Sequence, residues 1–233
     1  MLSDNTITNI NHFLLKKTNI TLTVPIKHKY TNEIMQRWSN HEPSTNRKII
    51  ELINKMDDNT EQYILDAGSH VGDTLFMISK LLDYNNNNVK VIGIEPDIEK
   101  VEFINTIIKL NNITNIILYC SALSDFEYNF NINKSKSNSG AWNIYEDNKS
   151  KQLTITLDHV CKDLNMYLIH LDLEGYEYRA IMGAKNILDN VKHFILEFYH
   201  CNKDELFDSL SDKFILSTRL GGDVHFTNMS HTL

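Results

Sequence analysis

The stretch LDAGSHVGDT, Leu65–Thr74, carries a carboxylate at each end of a glycine turn. A glycine loop that follows a strand usually cradles a phosphate, with glycine supplying the unusual dihedrals and the close approach. Here the dinucleotide pattern G-x-G-x-x-G is absent, because His70 stands at the second glycine position. Asp66, at the expected strand tip, would repel a pyrophosphate and attract a cation. The chemistry that fits is a ligand bearing positive charge and no phosphate, bound near Asp66, Gly68, Ser69, His70, Gly72, Asp73 and Thr74.

Two further stretches carry acids at strand ends. VIGIEPD, Val91–Asp97, ends an apolar run with Glu95 and Pro96. A carboxylate at the tip of a second strand accepts hydrogen bonds from ribose hydroxyls. CSALSD, Cys120–Asp125, follows a third strand, and the small residues Ser121 and Ala122 would admit an adenine ring. S-adenosylmethionine, with an ammonium, a sulfonium and no phosphate, satisfies all three stretches.

LIHLDLEGYEYRAIMGA places Asp172 and Glu174 at the end of a fourth strand, and residues two apart share a face. Methyl transfer to an alcohol needs a close, in-line acceptor. It also needs a base for the hydroxyl proton, worth about 10²–10⁴-fold. Asp172, Glu174 and His200 are the candidate catalytic residues, and Asp172 also counts as a cofactor contact. Glu197 and His200, in FILEFYH, end a fifth strand on the same edge. Glu177 reads as an exposed helix residue and His170 as a core residue. The carboxylate pair could also hold Mg²⁺ through oxygen ligands, although one pair is a small ligand set and no metal-binding spacing accompanies it.

These residues need a scaffold of alternating strands and helices. Strands are expected at Ile20–Ile26, Tyr63–Leu65, Val89–Ile94, Asn115–Cys120, Tyr167–Leu171, His193–Phe198, Phe214–Thr218 and Asp223–Thr227. Helices are expected at Thr45–Met56, Val71–Leu82, Ile98–Leu110, Asp158–Leu164, Tyr176–Leu188 and Lys203–Leu210. Ser44 or Thr45 reads as one N-cap and Asp97 as another. This rhythm implies a mostly parallel α/β sheet with ligands at the carboxyl ends of its strands. Residues 126–151 break the rhythm and read as a loop or small hairpin laid over that edge, with Gly140 and Trp142 of SGAW near the ligands. The division expected is an N-terminal extension, 1–55, that supplies acceptor-side or oligomer contacts, followed by a catalytic domain, 56–233.

Bulk properties narrow the class. A chain of 233 residues, 42% hydrophobic and 23% charged, suits a soluble α/β domain. No apolar run approaches the ~20 residues of a membrane span, and the N-terminus lacks a signal-peptide pattern, so a cytoplasmic protein is expected. A net charge of −7 disfavours nucleic acid as a partner. Cys120, Cys161 and Cys201 are odd in number and far apart, as expected of reduced thiols.

The set LDAGSHVGDT, GIEPD, SALSD, SGAW, LTITLDHV, HLDLEGYEYRAIMGA and FILEFYH resembles the FkbM-type S-adenosylmethionine-dependent methyltransferases, over roughly Glu61 to His200. The resemblance implies a Rossmann-like class I methyltransferase fold, a seven-stranded, mostly parallel sheet with an antiparallel C-terminal hairpin. It also implies O-methylation of a small hydroxylated acceptor such as a glycan or sugar nucleotide. The charge and the lack of a long apolar run leave neither nucleic acid nor membrane as an expected partner, with scope for a homo-oligomer. His70 departs from the small or amide residue expected there. Two other readings are a nicotinamide-dependent sugar enzyme, which would need a pyrophosphate loop and a Tyr-x-x-x-Lys pair, and a non-catalytic cofactor-binding module.

Overall fold

Five short apolar runs become the parallel centre of the sheet in a computed structural model, which describes residues 7–12, 14–15, 20–56, 61–85, 88–134 and 143–231. These strands are β3 (Gln62–Ala67), β4 (Val89–Ile94), β5 (Ile116–Tyr119), β9 (Met166–Leu171) and β10 (Val191–Glu197). β11 (Phe214–Leu220) and β12 (Asp223–Asn228) close one edge, giving the order β11-β12-β10-β9-β3-β4-β5. β12 runs antiparallel to both β10 and β11, while the remaining pairs are parallel. The order reverses between β3 and β9, so the expected ligand crevice opens at their carboxyl ends.

The parallel strands are apolar on both faces because helices cover both. Neighbours along a strand feed opposite cores. Ile64, Val91, Leu168 and Ile195 join one cluster, and Leu65, Ile92, Ile169 and Phe194 join the other. The first face is covered by α3 (Asp73–Tyr84) and α4 (Ile98–Leu110), the second by α6 (Glu177–Met182) and α7 (Lys203–Leu210). Asp97 caps α4 by accepting the Glu99 N–H, as its residue type predicts.

The N-terminal segment is part of the first core. β1 (Ile7–Asn11) pairs antiparallel with β2 (Thr21–Pro25), and α1 (Thr31–Asn40) and α2 (Pro43–Ile53) follow. Leu22, Val24, Ile34, Trp38 and Ile49 are fully buried in the cluster that holds Leu75 and Phe103. Asn111, at the end of α4, accepts the Thr23 N–H and donates to the Thr23 carbonyl, which ties the ribbon to the domain. The segment therefore shares the first core with the parallel strands.

Other boundaries differ from expectation for local reasons. α1 goes unread in the sequence because its two core anchors, Ile34 and Trp38, stand among polar residues. α2 begins at Pro43, with proline at its first turn and Glu42 as the cap; Thr45 lies inside the helix and donates its hydroxyl to Asp223. The helix expected over Asp158–Leu164 is a single turn, α5 (Leu157–Val160), capped by Thr156. Asp158 instead accepts the N–H groups of Asn186 and Ile187. The helix expected to reach Leu188 stops at Gly183, where a Cβ would come within 2.4 Å of the Ser124 carbonyl oxygen. The insert, expected as a loop or small hairpin, carries paired strands among its described residues. β6 (Asn129–Asn133), β7 (Asn143–Glu146) and β8 (Gln152–Leu153) form a small antiparallel sheet. Gly140 and Trp142 lie outside the described residues.

Candidate active site

The turn after β3 is shaped by close backbone contact. Gly68 has φ of +80°, and a Cβ there would fall 1.8 Å from the Asp172 carbonyl oxygen, so no other residue fits. His70 is also left-handed, at φ +51°, and donates its N–H to Glu95 at 2.9 Å. Its ring Nε2 lies 3.2 Å from Glu33 of α1. These contacts join the tips of β3, β4 and β9 with the N-terminal helices around one cleft of about 250 Å³.

Glu95 is buried beside this cleft. Its oxygens accept the His70 and Asp97 N–H groups at 2.9 Å each, and Lys100 lies 4.0 Å away. Burial raises its carboxyl to about 7, against the pull of Lys100 and the two backbone donors. Pro96, Ser121 and Ala122 line the same wall. The insert covers the carboxyl edge as expected, since Ile144 of β7 lines the cleft and its carbonyl accepts the Tyr176 hydroxyl at 2.8 Å.

Asp172 and Glu174 both line the cleft. Burial raises the Asp172 carboxyl; His170 and Arg37 pull it back, and Asp223 pushes it further up. Glu174, in a left-handed conformation at φ +52°, is raised by burial and then by Asp172. Glu197 faces them from the end of β10 and is pushed up to about 9 by burial and by the charges of Asp172, Glu177 and Glu174. Such crowding of carboxylates disfavours bound anions and favours a cation.

The remaining candidates stand apart from the cleft lining. Asp66 is buried beneath it, 2.8 Å from His170 Nδ1. Burial would lower His170, but its hydrogen bond with Asp66 and that carboxylate's charge raise it to about 9. Asp66 thus meets its cation within the protein. Ser69 donates its hydroxyl to the Asp66 carbonyl. Gly72 and Thr74 are the cap and second residue of α3. Asp73 pairs with Arg37 at 2.8 Å and His41 at 3.3 Å. Burial opposes its charge, but these two partners hold the carboxyl far below the ordinary range. The His200 side chain is 60% exposed and lies 3.8 Å from Glu174, outside the lining.

Glu177 is fully buried, not exposed; it accepts the Leu173 N–H at 2.7 Å and the Gly175 N–H at 3.4 Å, and so fixes the turn that carries Glu174. Arg37, His41 and Glu42, all cleft-lining, were not foreseen. The available signal was RWSNHEP, a run of charged and polar residues ending at a helix-starting proline. Among the described residues, two sets of three side chains converge closely enough to hold a metal ion: Glu42, His170 and Asp223, and Glu174, Glu197 and His200. The pair Asp172 and Glu174 shares neither set. All three cysteines are free thiols, and no helix among the described residues is long and apolar enough to cross a membrane.

The family described as the methyltransferase FkbM domain matches residues 66–220. No curated protein matches the chain by sequence. Among solved structures, the METTL16 methyltransferase domain is similar with a TM-score of 0.50 at 10% identity, over 93% of this chain and 75% of that one. A SAM dependent methyltransferase from Aquifex aeolicus gives 0.47 at 11% identity, over 84% and 95%. An rRNA methylase from Streptococcus thermophilus gives 0.48 at 14% identity, over 78% and 94%. At 10% identity the likeness to the METTL16 domain is one of fold.

Proposed function

The chain belongs to the FkbM methyltransferase family and is an S-adenosylmethionine-dependent methyltransferase; from that premise we propose that it methylates a hydroxyl of a glycan, sugar nucleotide or related small metabolite, with Asp172 as the base. The observation that carries the reading is the cleft at the β3–β9 reversal, where Asp172, Glu174 and Glu197 converge beside a glycine turn with no room for a side chain.

The donor set fits the cofactor. Glu95 suits the ribose hydroxyls, and Ser121, Ala122 and Leu123 offer a small, partly apolar wall for the adenine. The backbone around Gly68 allows close approach, and the carboxylates suit the ammonium and sulfonium. Asp66 acts one layer below, through His170 and the floor of the site. When bound, the cofactor supplies an electrophilic methyl group on sulfur. The same wall of acids opposes a pyrophosphate, which disfavours the nicotinamide reading.

Asp172 receives the acceptor's hydroxyl proton. Its burial raises its basicity, while Arg37 and His170 keep the charged form accessible. Glu177 holds the turn that presents Glu174, and Glu174 orients the acceptor by accepting a second hydroxyl. A sugar offers adjacent hydroxyls for two carboxylates. His200, exposed beside Glu174, influences that carboxylate from outside. The chain is proposed to act in the cytoplasm on such small molecules. The test is transfer of a labelled methyl group from the cofactor to a panel of sugars and sugar nucleotides. Labelled product whose methyl resists alkaline hydrolysis, as an ether does, supports the reading; transfer only to amines or to nucleic acid would refute it.

A further inference from the structure

We propose that Glu42, His170 and Asp223 form a binding site for a divalent transition-metal ion at the floor of the cleft. Three elements bring them together: the residue that starts α2, the interior of β9, and the first residue of β12. One donor atom from each lies within 4.8 Å of the others. His170 and Asp223 are 3% and 6% exposed, whereas Glu42 reaches the cleft and gives an ion a way in.

The second observation is His170 itself. Its Nδ1 is engaged by Asp66 at 2.8 Å, and its buried Nε2 has no hydrogen-bond partner among the described residues. With Nδ1–H donated to Asp66, Nε2 carries either a proton that no acceptor takes or a lone pair that faces two carboxylates. An ion between the three donors takes up the lone pair, and in the protonated case it does so by releasing the Nε2 proton to solvent. Bonds of ~2.0–2.2 Å to such metals hold their donors closer together than 4.8 Å, so binding would draw Glu42 and Asp223 in toward His170.

The supporting contacts follow the pattern of metal sites. A ligating histidine usually gives its other nitrogen to a carboxylate, and ligating carboxylates are themselves hydrogen-bonded. Asp66 holds His170 in this way, and Thr45 donates its hydroxyl to Asp223. One imidazole with two carboxylates suits Mn²⁺ or Zn²⁺ better than an all-oxygen ion. An ion there would bind α2 to the two strands and set positive charge behind Asp172. It also explains why Asp66, buried away from the cleft lining, stands at the strand tip.

The test needs neither cofactor nor acceptor, so it fails or succeeds apart from the methyl-transfer reading. The full chain, stripped with a chelator, is titrated separately with Mn²⁺ and Zn²⁺. Paramagnetic resonance on bound Mn²⁺ reads nitrogen coupling, and calorimetry reads stoichiometry. At least one of the two ions is expected to bind at about one equivalent per chain. Affinity should fall about 10–100-fold in Glu42→Gln, Asp223→Asn and Asp66→Asn and stay unchanged in His200→Gln, with circular dichroism verifying that each variant is folded. The inference is overturned if neither ion binds the wild type, if binding survives in both Glu42→Gln and Asp223→Asn, or if it is lost only in His200→Gln, which would move the ion to the outer set.

Discussion

Asp172 combines a raised carboxyl with direct access to the cleft, and that pairing separates it from Asp66, which is buried and already paired. Asp172→Asn keeps the shape and removes the base. Turnover should fall about 10²-fold or more with a smaller loss of cofactor affinity, measured by single-turnover methyl transfer and calorimetry. His200→Ala should cost less, as its exposure implies. The pH–rate profile of the wild type should rise above the ordinary carboxylate range, because the base must be ionised and burial has raised it. Glu95 gives a separate test. Burial pushes its carboxyl up to about 7 in the free protein, and ribose hydroxyls donate to the ionised form. Below that pH, binding must expel a proton, so affinity for S-adenosylhomocysteine should weaken about tenfold from about pH 8 to about pH 6. Calorimetry at the two pH values checks this, and Glu95→Gln should flatten the difference. Stability runs the opposite way: between about 4.5 and about 7 the folded state binds more protons, so this group's contribution declines as pH rises.

The elements that carry these residues were unequally legible. Glycine turns and apolar runs mark β3, β4, β9 and β10, and their tip residues Gly68, Glu95, Asp172 and Glu174 were readable as a set. Glu177 was not, because helical spacing does not reveal that a left-handed Glu174 and Gly175 turn its carboxylate back onto the Leu173 and Gly175 N–H groups. Arg37, His41 and Glu42 were hidden because their place depends on α1 and α2 docking against α3, far along the sequence. The insert was legible only as a loop or small hairpin, without strand bounds, because its strands are short and polar, with one fully buried anchor, Phe130. The docking itself makes a prediction. Trp38 is fully buried in the core shared with α3 and α4, so Trp38→Ala should destabilise the whole domain by about 3–5 kcal/mol, in one cooperative denaturant transition. A separate early transition of the N-terminal segment, with the rest of the domain unaffected, would show that the two layers are not one core.

At the scale of the whole molecule, a net charge of −7 and a cleft walled by carboxylates point the same way. The sheet reverses at β3 and β9, the N-terminal helices and the insert close over that edge, and the enclosed site favours a small cation over a phosphate. The most direct test is calorimetric titration of the full chain with S-adenosylmethionine, S-adenosylhomocysteine and NAD under identical conditions. The account predicts saturable binding of the first two at one site per chain and no binding of NAD. Tight binding of NAD, with neither sulfur ligand bound, would contradict it.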